Sequence, residues 1–559
     1  MSSDSDRVAF DESVSPQDNS NLFQAKKWTY ITDSTSSAGV FTGQIQFDLG
    51  TLSSQNQWTD LSQAYIQFPV KLSINSPDVI ASAAFTNSVL AATIKNGFHN
   101  FVDSVQIVLG STTIQSSQIY QNIDTTYKIL SEWSQDELRK YGPSLGIALD
   151  DYELGSDSAL TTRTGLDNVA LTALSPAYQG VTYPVNNNPG FKTRSLMQNS
   201  STISTTAATT ILGNTNCANS GKSRVQFVAS ATTDTTAGQE LYAQFALATI
   251  RLKDISDAVS KLPLIKGMKG FIYVNYNAAQ TTYTISADAN GTLTAAPTSS
   301  QLFGRCQPGM LNAGAITHVN GGRLQFTCEV SGAPTTGTAL TSAIPTFNNA
   351  RLFSCYYISS PEVDRALTMK KTIRYNERFV TSFDIAAGGS YTGTITPGIS
   401  NPKRLILVPR LTGSAGSVAG AAAFQLEPLL SPWDAVPAAT SPFAGIKDLQ
   451  VYVGNSPAFQ SPVTMTYEMF LQEVAQQGVD GGLKDQQASG LLSQRMWDQM
   501  YRYYTVDIGR RMNSEDGASK SVQVQCVNAT TAAMKVIAIL WFEREISIDT
   551  ALGQVSQSM

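Results

Sequence analysis

The sequence predicts an all-β protein, built as two tandem eight-stranded jelly rolls with a few short helices and long surface loops. Three observations lead there. Apolar and polar residues alternate with period two along most of the chain, between clusters of Ser, Thr, Gly, Asn and Pro. Stretches with helical spacing are few. The chain also resembles itself at an offset of about 340 residues, so its 559 residues divide into two units of roughly 250, a size that suits one roll with long loops.

Taken in order, residues 1–24 are an acidic leader with Asp4, Asp6, Asp11, Glu12 and Asp18. Its composition cannot bury enough apolar surface to offset the entropy of ordering, so disorder is expected. From Trp28 onward strands dominate. Phe41–Leu49 (FTGQIQFDL) and Tyr65–Ile74 (YIQFPVKLSI) alternate, and Val105–Leu109 ends at Gly110, a turn signal. Further strands are expected at 114–120, 224–230, 241–252, 270–276, 282–286, 323–330 and 352–358. Later ones fall at 372–385, 391–396, 404–411, 448–453, 463–470, 520–527 and 534–548. Two helices are expected. One covers 124–141 and stops at Gly142-Pro143. The other covers 490–502, with Leu491, Leu492, Met496, Met500 and Tyr501 on one face and Trp497 beside it. Both read as crossovers covering a sandwich end. Stretches 154–223 and 278–322 are low in pattern and read as surface insertions. The expected division is therefore a leader (1–24), a first roll (25–300) carrying the 154–223 insertion, and a second roll (301–559).

The internal repeat has two parts. Val105-Gln-Ile-Val-Leu-Gly-Ser111 resembles Leu449-Gln-Val-Tyr-Val-Gly-Asn455, and each is followed by an aromatic-rich segment (IYQNIDTTYKIL and VTMTYEMFLQEV). Upstream, Ala64–Leu72 resembles Arg404–Leu411, with Pro69 opposite Pro409. Proline donates no ladder hydrogen bond, so both should sit at an edge or bulge.

Composition narrows function. Charged residues are 14%, against about 25% in an average soluble protein. The net charge of −5 argues against a protein that gathers nucleic acid by charge. Only His99 and His318 are histidines, which nearly removes His-based catalysis and metal clusters. Cys217, Cys306, Cys328, Cys355 and Cys526 are scattered, with no CxxC pair, so neither a disulfide framework nor a zinc site is indicated. The start of the chain lacks the order of a secretory signal. The longest apolar run, Val536–Phe542, has strand length rather than the roughly 20 residues of a membrane helix. The Asn-x-Ser/Thr matches at Asn199, Asn290 and Asn528 then read as chance.

With its halves in view, the sequence resembles the double jelly-roll major capsid proteins of small eukaryotic double-stranded DNA viruses, the virophages and Polinton-like viruses. Asn96-Gly-Phe98, the strand 104–109 and a helix near 127–138 resemble the middle of their first roll. Gln244–Ile255, then Leu262-Pro-Leu-Ile-Lys-Gly267 and the strand 271–276, resemble that roll's end, and Trp541–Ile548 the closing strand of the second. The resemblance covers most of 25–550 as an ordered pattern without a specific signature. It implies a homotrimer of pseudo-hexagonal outline tiling an icosahedral virion shell around a DNA genome. It also implies contacts with neighbouring capsomers, penton and minor capsid proteins, a host receptor reached through surface loops, and no sequence-specific nucleic-acid binding.

No catalytic, cofactor or metal site is assigned. His99 and His318 read as structural or surface residues. Cys306 and Cys328 read as free buried thiols, although loops that met would let them pair. The acidic cluster Asp150, Asp151 and Glu153 reads as a solvated turn, with an oxygen-only calcium site as the alternative. Arg510, Arg511 and Lys520 read as a solvated basic face. Two other functions share this composition. One is a trimeric receptor- or glycan-binding fibre protein. The other is a β-sandwich glycoside hydrolase, which needs only two carboxylates about 5–10 Å apart.

Overall fold

The computed structural model describes residues 23–36, 41–53, 57–75, 90–150, 240–285, 298–313, 322–332, 349–412, 444–477, 490–509 and 519–557, with short pieces between them that include 193–194 and 223–227. The first roll contains β1 (Phe23–Thr32), β2 (Gln44–Asp48), β3 (Trp58–Asn75), β4 (Val102–Leu109), β5 (Thr112–Gln115), β6 (Glu240–Arg251), β7 (Gly270–Tyr276) and β8 (Arg351–Ser359). They pair in the orders β1-β8-β3-β6 and β2-β7-β4-β5, antiparallel throughout. The second roll contains β9 (Lys370–Ile385), β10 (Ser390–Ser400), β11 (Pro402–Leu411), β12 (Ile446–Val453), β13 (Ser456–Pro457), β14 (Tyr504–Asp507), β15 (Ser519–Asn528) and β16 (Met534–Asp549). Its orders are β9-β16-β11-β14 and β10-β15-β12-β13. Adding eight to each label of the first roll reproduces the second. In each roll these two sets of four strands form facing sheets, the first set extended to an eight-stranded sheet in the first roll and to a five-stranded one in the second; two such sets packed face to face are a jelly roll, so the chain is a double jelly roll.

Alternation explains the cores. Val105, Ile107 and Leu109 of β4 point inward and are buried, as are Leu449 and Val451 of β12. The β4–β5 hairpin turns on Gly110 (φ 61°) and the β12–β13 hairpin on Gly454 (φ 62°), a left-handed conformation that favours glycine in two-residue turns. Both glycines stand at the same point of the sequence repeat.

The other repeat also falls on equivalent strands, β3 and β11, but its register is off by one. Tyr65 and Lys71 lie on the outer face of β3, whereas Ile66, Phe68 and Val70 fill the core. In β11 it is Arg404 and Arg410 that face outward, toward the first roll. Pairing Pro69 with Pro409 therefore matches opposite faces. The edge rule is still obeyed. Pro69 lies opposite Leu247 on one side, in the gap between the β8 pairing that ends at Gln67 and the one with Gly322–Glu329 that starts at Lys71. Pro409 lies opposite Val536, beyond the end of the β14 pairing at Leu407.

Several expectations are corrected. β8 hydrogen-bonds to both β1 and β3, so a boundary near residue 300 would cut the first roll's own sheet. We place it instead in the connecting helix Pro361–Leu367. Of the leader, Phe23 and Gln24 belong to β1, while 1–22 lie outside the described residues. Nearly all of 154–223 lies outside them too. The low-pattern stretch 278–322 contains the strands Ala278–Ile285, Thr298–Phe303 and Gly309–Ala313. The Thr-rich Ala278–Ile285 lies between two partner strands, while Thr298–Phe303 and Gly309–Ala313 pair on one side. The expected helix 124–141 is two helices, α1 (Gln121–Glu132) and α2 (Gln135–Leu145). The break is a capping box in which Ser134 and Glu137 satisfy each other's backbone N–H groups. Gly142-Pro143 lie inside the last turn of α2, which ends at Gly146. The expected strand 463–470 gives way to a helix, α3 (Tyr467–Gln477), and the expected helix 490–502 shortens to α4 (Gln494–Gln499).

Candidate assembly surfaces

The functional geometry starts at α1, which is not the sandwich-end cover expected of it. It follows β5 of the first roll and lies on the outer face of the second roll's β9-β16-β11 sheet. Arg378, Trp541 and Arg404 form one cross-strand row of that sheet. Trp541 donates its indole N–H to Asp124 of α1 (2.7 Å), and its ring meets Tyr127 edge-on at 6.0 Å. The Arg404 guanidinium stands 4.8 Å over the Trp541 ring, and Lys128 stands 5.1 Å over it from the helix side. Tyr127 also meets Tyr503 edge-on and shares a hydrogen bond with Thr505 (3.1 Å). Arg378 donates to the carbonyls of Gln118 and Ile119, and Arg410 to the Tyr120 hydroxyl. Arg378, Arg404, Arg410 and Trp541 are only 4–6% exposed.

The exchange is mutual. Tyr120, Ile123, Tyr127 and Leu130 of the first roll join the second core, while Tyr375, Ile546, Ile548 and Val555 of the second join the first. Tyr375 donates to the Ile114 carbonyl (2.8 Å), the Glu377 carboxylate accepts from the Ser116 backbone and hydroxyl, and Asp257 accepts from the Asn376 backbone (2.7 Å). The two rolls are thus one packed body.

Between them lies a cleft of about 610 Å³. Its charges are largely paired within its walls, as in Arg251–Asp254 (2.6 Å), Lys261–Asp257 (3.1 Å) and Lys403–Glu543 (3.0 Å). Burial raises the pKa of Asp254 against the pull of Arg251, and Glu132 is raised too. Its side chain reaches solvent in the cleft, yet desolvation by the crowded walls pushes its pKa up to about 7 against the pull of Lys128 and Arg404. Among the described residues no cluster of three or more His, Cys, Asp or Glu side chains is placed to hold a metal.

The residues singled out from sequence fall as follows. His99 is buried and its Nε2 lies 2.8 Å from the Thr126 hydroxyl, a structural role. Cys306, Cys328, Cys355 and Cys526 are buried free thiols. Asn528 is buried and donates its amide to the Ala386 and Ala532 carbonyls, which leaves no glycan acceptor there. Lys520 lies on β15, and Arg510, Arg511, His318, Cys217, Asn199 and Asn290 lie outside the described residues. Asp150 is corrected. It is fully buried, accepts from Arg194 (2.5 Å) and from the Tyr501 hydroxyl (3.3 Å), and so ties the first roll to the second. It is neither a solvated turn nor, on the described residues, a calcium ligand; Asp151 and Glu153 lie outside them. Its partner is 44 positions away, which no local pattern signals. Arg194→Met should cost about 3–5 kcal/mol in urea unfolding, because it strands a buried carboxylate. Adding Asp150→Asn should recover part of the loss, and a single variant as stable as the parent would contradict the pairing.

The first roll has the same sheet face, and no helix among the described residues is packed on its aromatic row. Tyr30, Phe353 and Tyr65 form a cross-strand row on β1, β8 and β3, with Tyr65 stacked on Phe353 at 4.8 Å. Trp28 and Tyr30 are 50% and 51% exposed. Lys26 stands over the Trp28 and Tyr357 rings, and Arg351 over Tyr30. Nothing in the periodicity of β1 marked this face, because alternation gives the two sides of a strand but not which side is covered.

No protein-family model matches the sequence, and no curated protein does. Solved structures resemble the fold. The mavirus major capsid protein is 10% identical, with a TM-score of 0.46 over 98% of this chain and 94% of its own. A Sputnik virophage chain is also 10% identical, with a TM-score of 0.46 over 97% of this chain and 89% of its own. The Faustovirus major capsid protein is 9% identical, with a TM-score of 0.41 over 95% and 92%. The strand orders themselves establish the fold.

Proposed function

We propose that this chain is the major capsid protein of a double-stranded DNA virus and that three copies form a pseudo-hexagonal capsomer. The observation that carries this reading is the pair of rolls with the same eight-strand order, each lending residues to the other's core. Such a pair supplies two similar wedges, so three chains supply six, and a six-cornered unit tiles a hexagonal lattice. A 14% charged composition suits broad neutral contacts between units. On this reading the protein is a structural one located in the virion. Penton and minor capsid proteins would be its further partners, and loops from 154–223 and 278–322 would meet a receptor.

A glycan-binding fibre protein is the second reading, favoured by the solvent-facing aromatic row of Trp28 and Tyr30, a platform on which sugars stack. Expression in a heterologous host, followed by electron microscopy of the pelleted material, separates the two. Closed shells or hexagonal sheets are expected. Dispersed particles that form no lattice over a range of salt and concentration, and that bind on a glycan array, would overturn the capsid reading.

A further inference from the structure

Both rolls wall the cleft between them, and nearly every charge in it is spent. In the first roll Lys128 pairs with Asp124 of α1 (3.4 Å) and Arg251 with Asp254 (2.6 Å). Asp257 pairs with Lys261 (3.1 Å) and also accepts from the Asn376 backbone of β9 (2.7 Å). In the second roll Lys403 of β11 pairs with Glu543 of β16 (3.0 Å), and Glu377 of β9 with Arg544. Arg378 of β9 donates to the Gln118 and Ile119 carbonyls, and Arg404 of β11 lies over the Trp541 ring. Glu137 of α2 caps its own helix at Ser134, Asp507 of β14 accepts from the Gly509 backbone, and Lys253 is exposed. Of the carboxylates that line the cleft this leaves Glu132, which among the described residues has neither a hydrogen bond nor an ion pair.

Its position makes a charge there costly. Glu132 is the last residue of α1, the helix that joins the rolls, and the negative end of the helix dipole opposes an anion. Asp124 and Asp257 oppose it as well, while Lys128 and Arg404, which favour it, are already engaged. The closed walls also take water from it. This desolvation is the largest cause that raises its pKa from the ordinary 4.5 to about 7. An ionised Glu132 is at odds with a closed cleft, and a protonated one is not.

We infer that the cleft is a proton-controlled joint: a proton on Glu132 holds the two rolls closed on each other, and its loss lets them part along the cleft. Between pH 4.5 and about 7 the closed form binds a proton that the open form, with Glu132 in water, does not. Closure is therefore fully favoured below pH 4.5, weakens as pH rises, and levels off above about 7. Within that window the closed-to-open ratio falls by up to about tenfold per pH unit. One consequence rests on the capsomer reading: the joint sets the angle between the two wedges of each chain, so lattice formation should depend on pH. The joint itself does not rest on it.

Hydrogen exchange of the full chain, read by mass spectrometry on peptides from α1, β16 and β15, tests this. Comparing the parent with Glu132→Gln at each pH cancels the pH dependence of the exchange chemistry. From pH 6 to pH 8 the parent's protection at α1 should fall about tenfold relative to the variant, whose neutral side chain keeps the cleft closed. Strand β15, in the other sheet of the second roll, should not respond. Asp257→Asn removes an opposing charge and should move the parent's transition to lower pH. Parallel curves for the parent and Glu132→Gln would overturn the joint, whatever the oligomer. An equal response in α1 and β15 would also overturn it, because the whole chain would then be opening. Exchange that follows pH while lattice formation does not would overturn only the consequence for the shell.

Discussion

Replacing Trp541 by alanine is expected to destabilise the protein by about 3–5 kcal/mol, the usual cost of emptying a buried tryptophan site. Trp541 is 6% exposed and touches Asp124, Tyr127 and Lys128 of the first roll while standing under Arg404 of the second. Removing it opens a cavity and leaves the buried Asp124 carboxylate without its indole donor, a second penalty. The loss should also change the shape of unfolding. The parent should melt in one cooperative transition, because each roll lends residues to the other's core. The variant should melt in two steps as the rolls uncouple. Urea unfolding followed by tryptophan fluorescence and by circular dichroism checks this. Coincident single transitions with a loss below about 1 kcal/mol would show that α1 is not the joint.

The second large effect is on acid stability. His99 lies in a short turn, Phe98–Phe101, all four of whose residues are buried. The Thr126 hydroxyl donates to the Asn122 carbonyl (2.8 Å), so it accepts from Nε2–H and fixes which ring nitrogen carries the proton. Burial lowers the His99 pKa from the ordinary 6.5 to about 3. The unfolded chain then binds a proton between pH 6.5 and about 3 that the folded chain does not. Stability from this group is fully present above pH 6.5 and is lost as pH falls toward 3. A gap of that size corresponds to a loss on the order of 5 kcal/mol at most. His99→Gln keeps a donor for Thr126 and removes the titration. The parent should lose stability across this window relative to the variant, as measured by urea midpoints at matched pH values. Parallel pH curves for the two would contradict the assignment.

Much of the fold was legible in the sequence, and the reasons are local. Strands β4 and β12 alternate cleanly and end in glycines that a two-residue hairpin turn favours, so their equivalence is written in residue type. The helix after the first hairpin showed helical spacing over 124–141, whereas the one after the second was visible only as an aromatic-rich segment. In the second roll, Val463, Thr464 and Thr466 lend that segment the composition of a strand, and the true partners of α3, which are β14 and α4, come later in the chain. The β3–β11 match found the right strands and missed the register, because a shared proline reports a one-sided pairing position and not a face. The boundary near 300 failed for a topological reason. The strand that closes the first roll arrives after a long insertion, and hydrogen bonding across that gap leaves no local trace. Assembly surfaces were the least legible. Trp28 and Tyr30 on one sheet and Trp541 on the other are all aromatic residues in strands, and only packing reveals that a helix covers Trp541.

The central claim is that three chains make one pseudo-hexagonal unit. Light scattering on the purified protein, with negative-stain images of the same peak, tests it most directly. Three chains of 60.0 kDa make about 180 kDa. A particle of that mass with a six-cornered top view is the predicted result. A monomer of 60.0 kDa at every concentration, or an elongated rod, would contradict it.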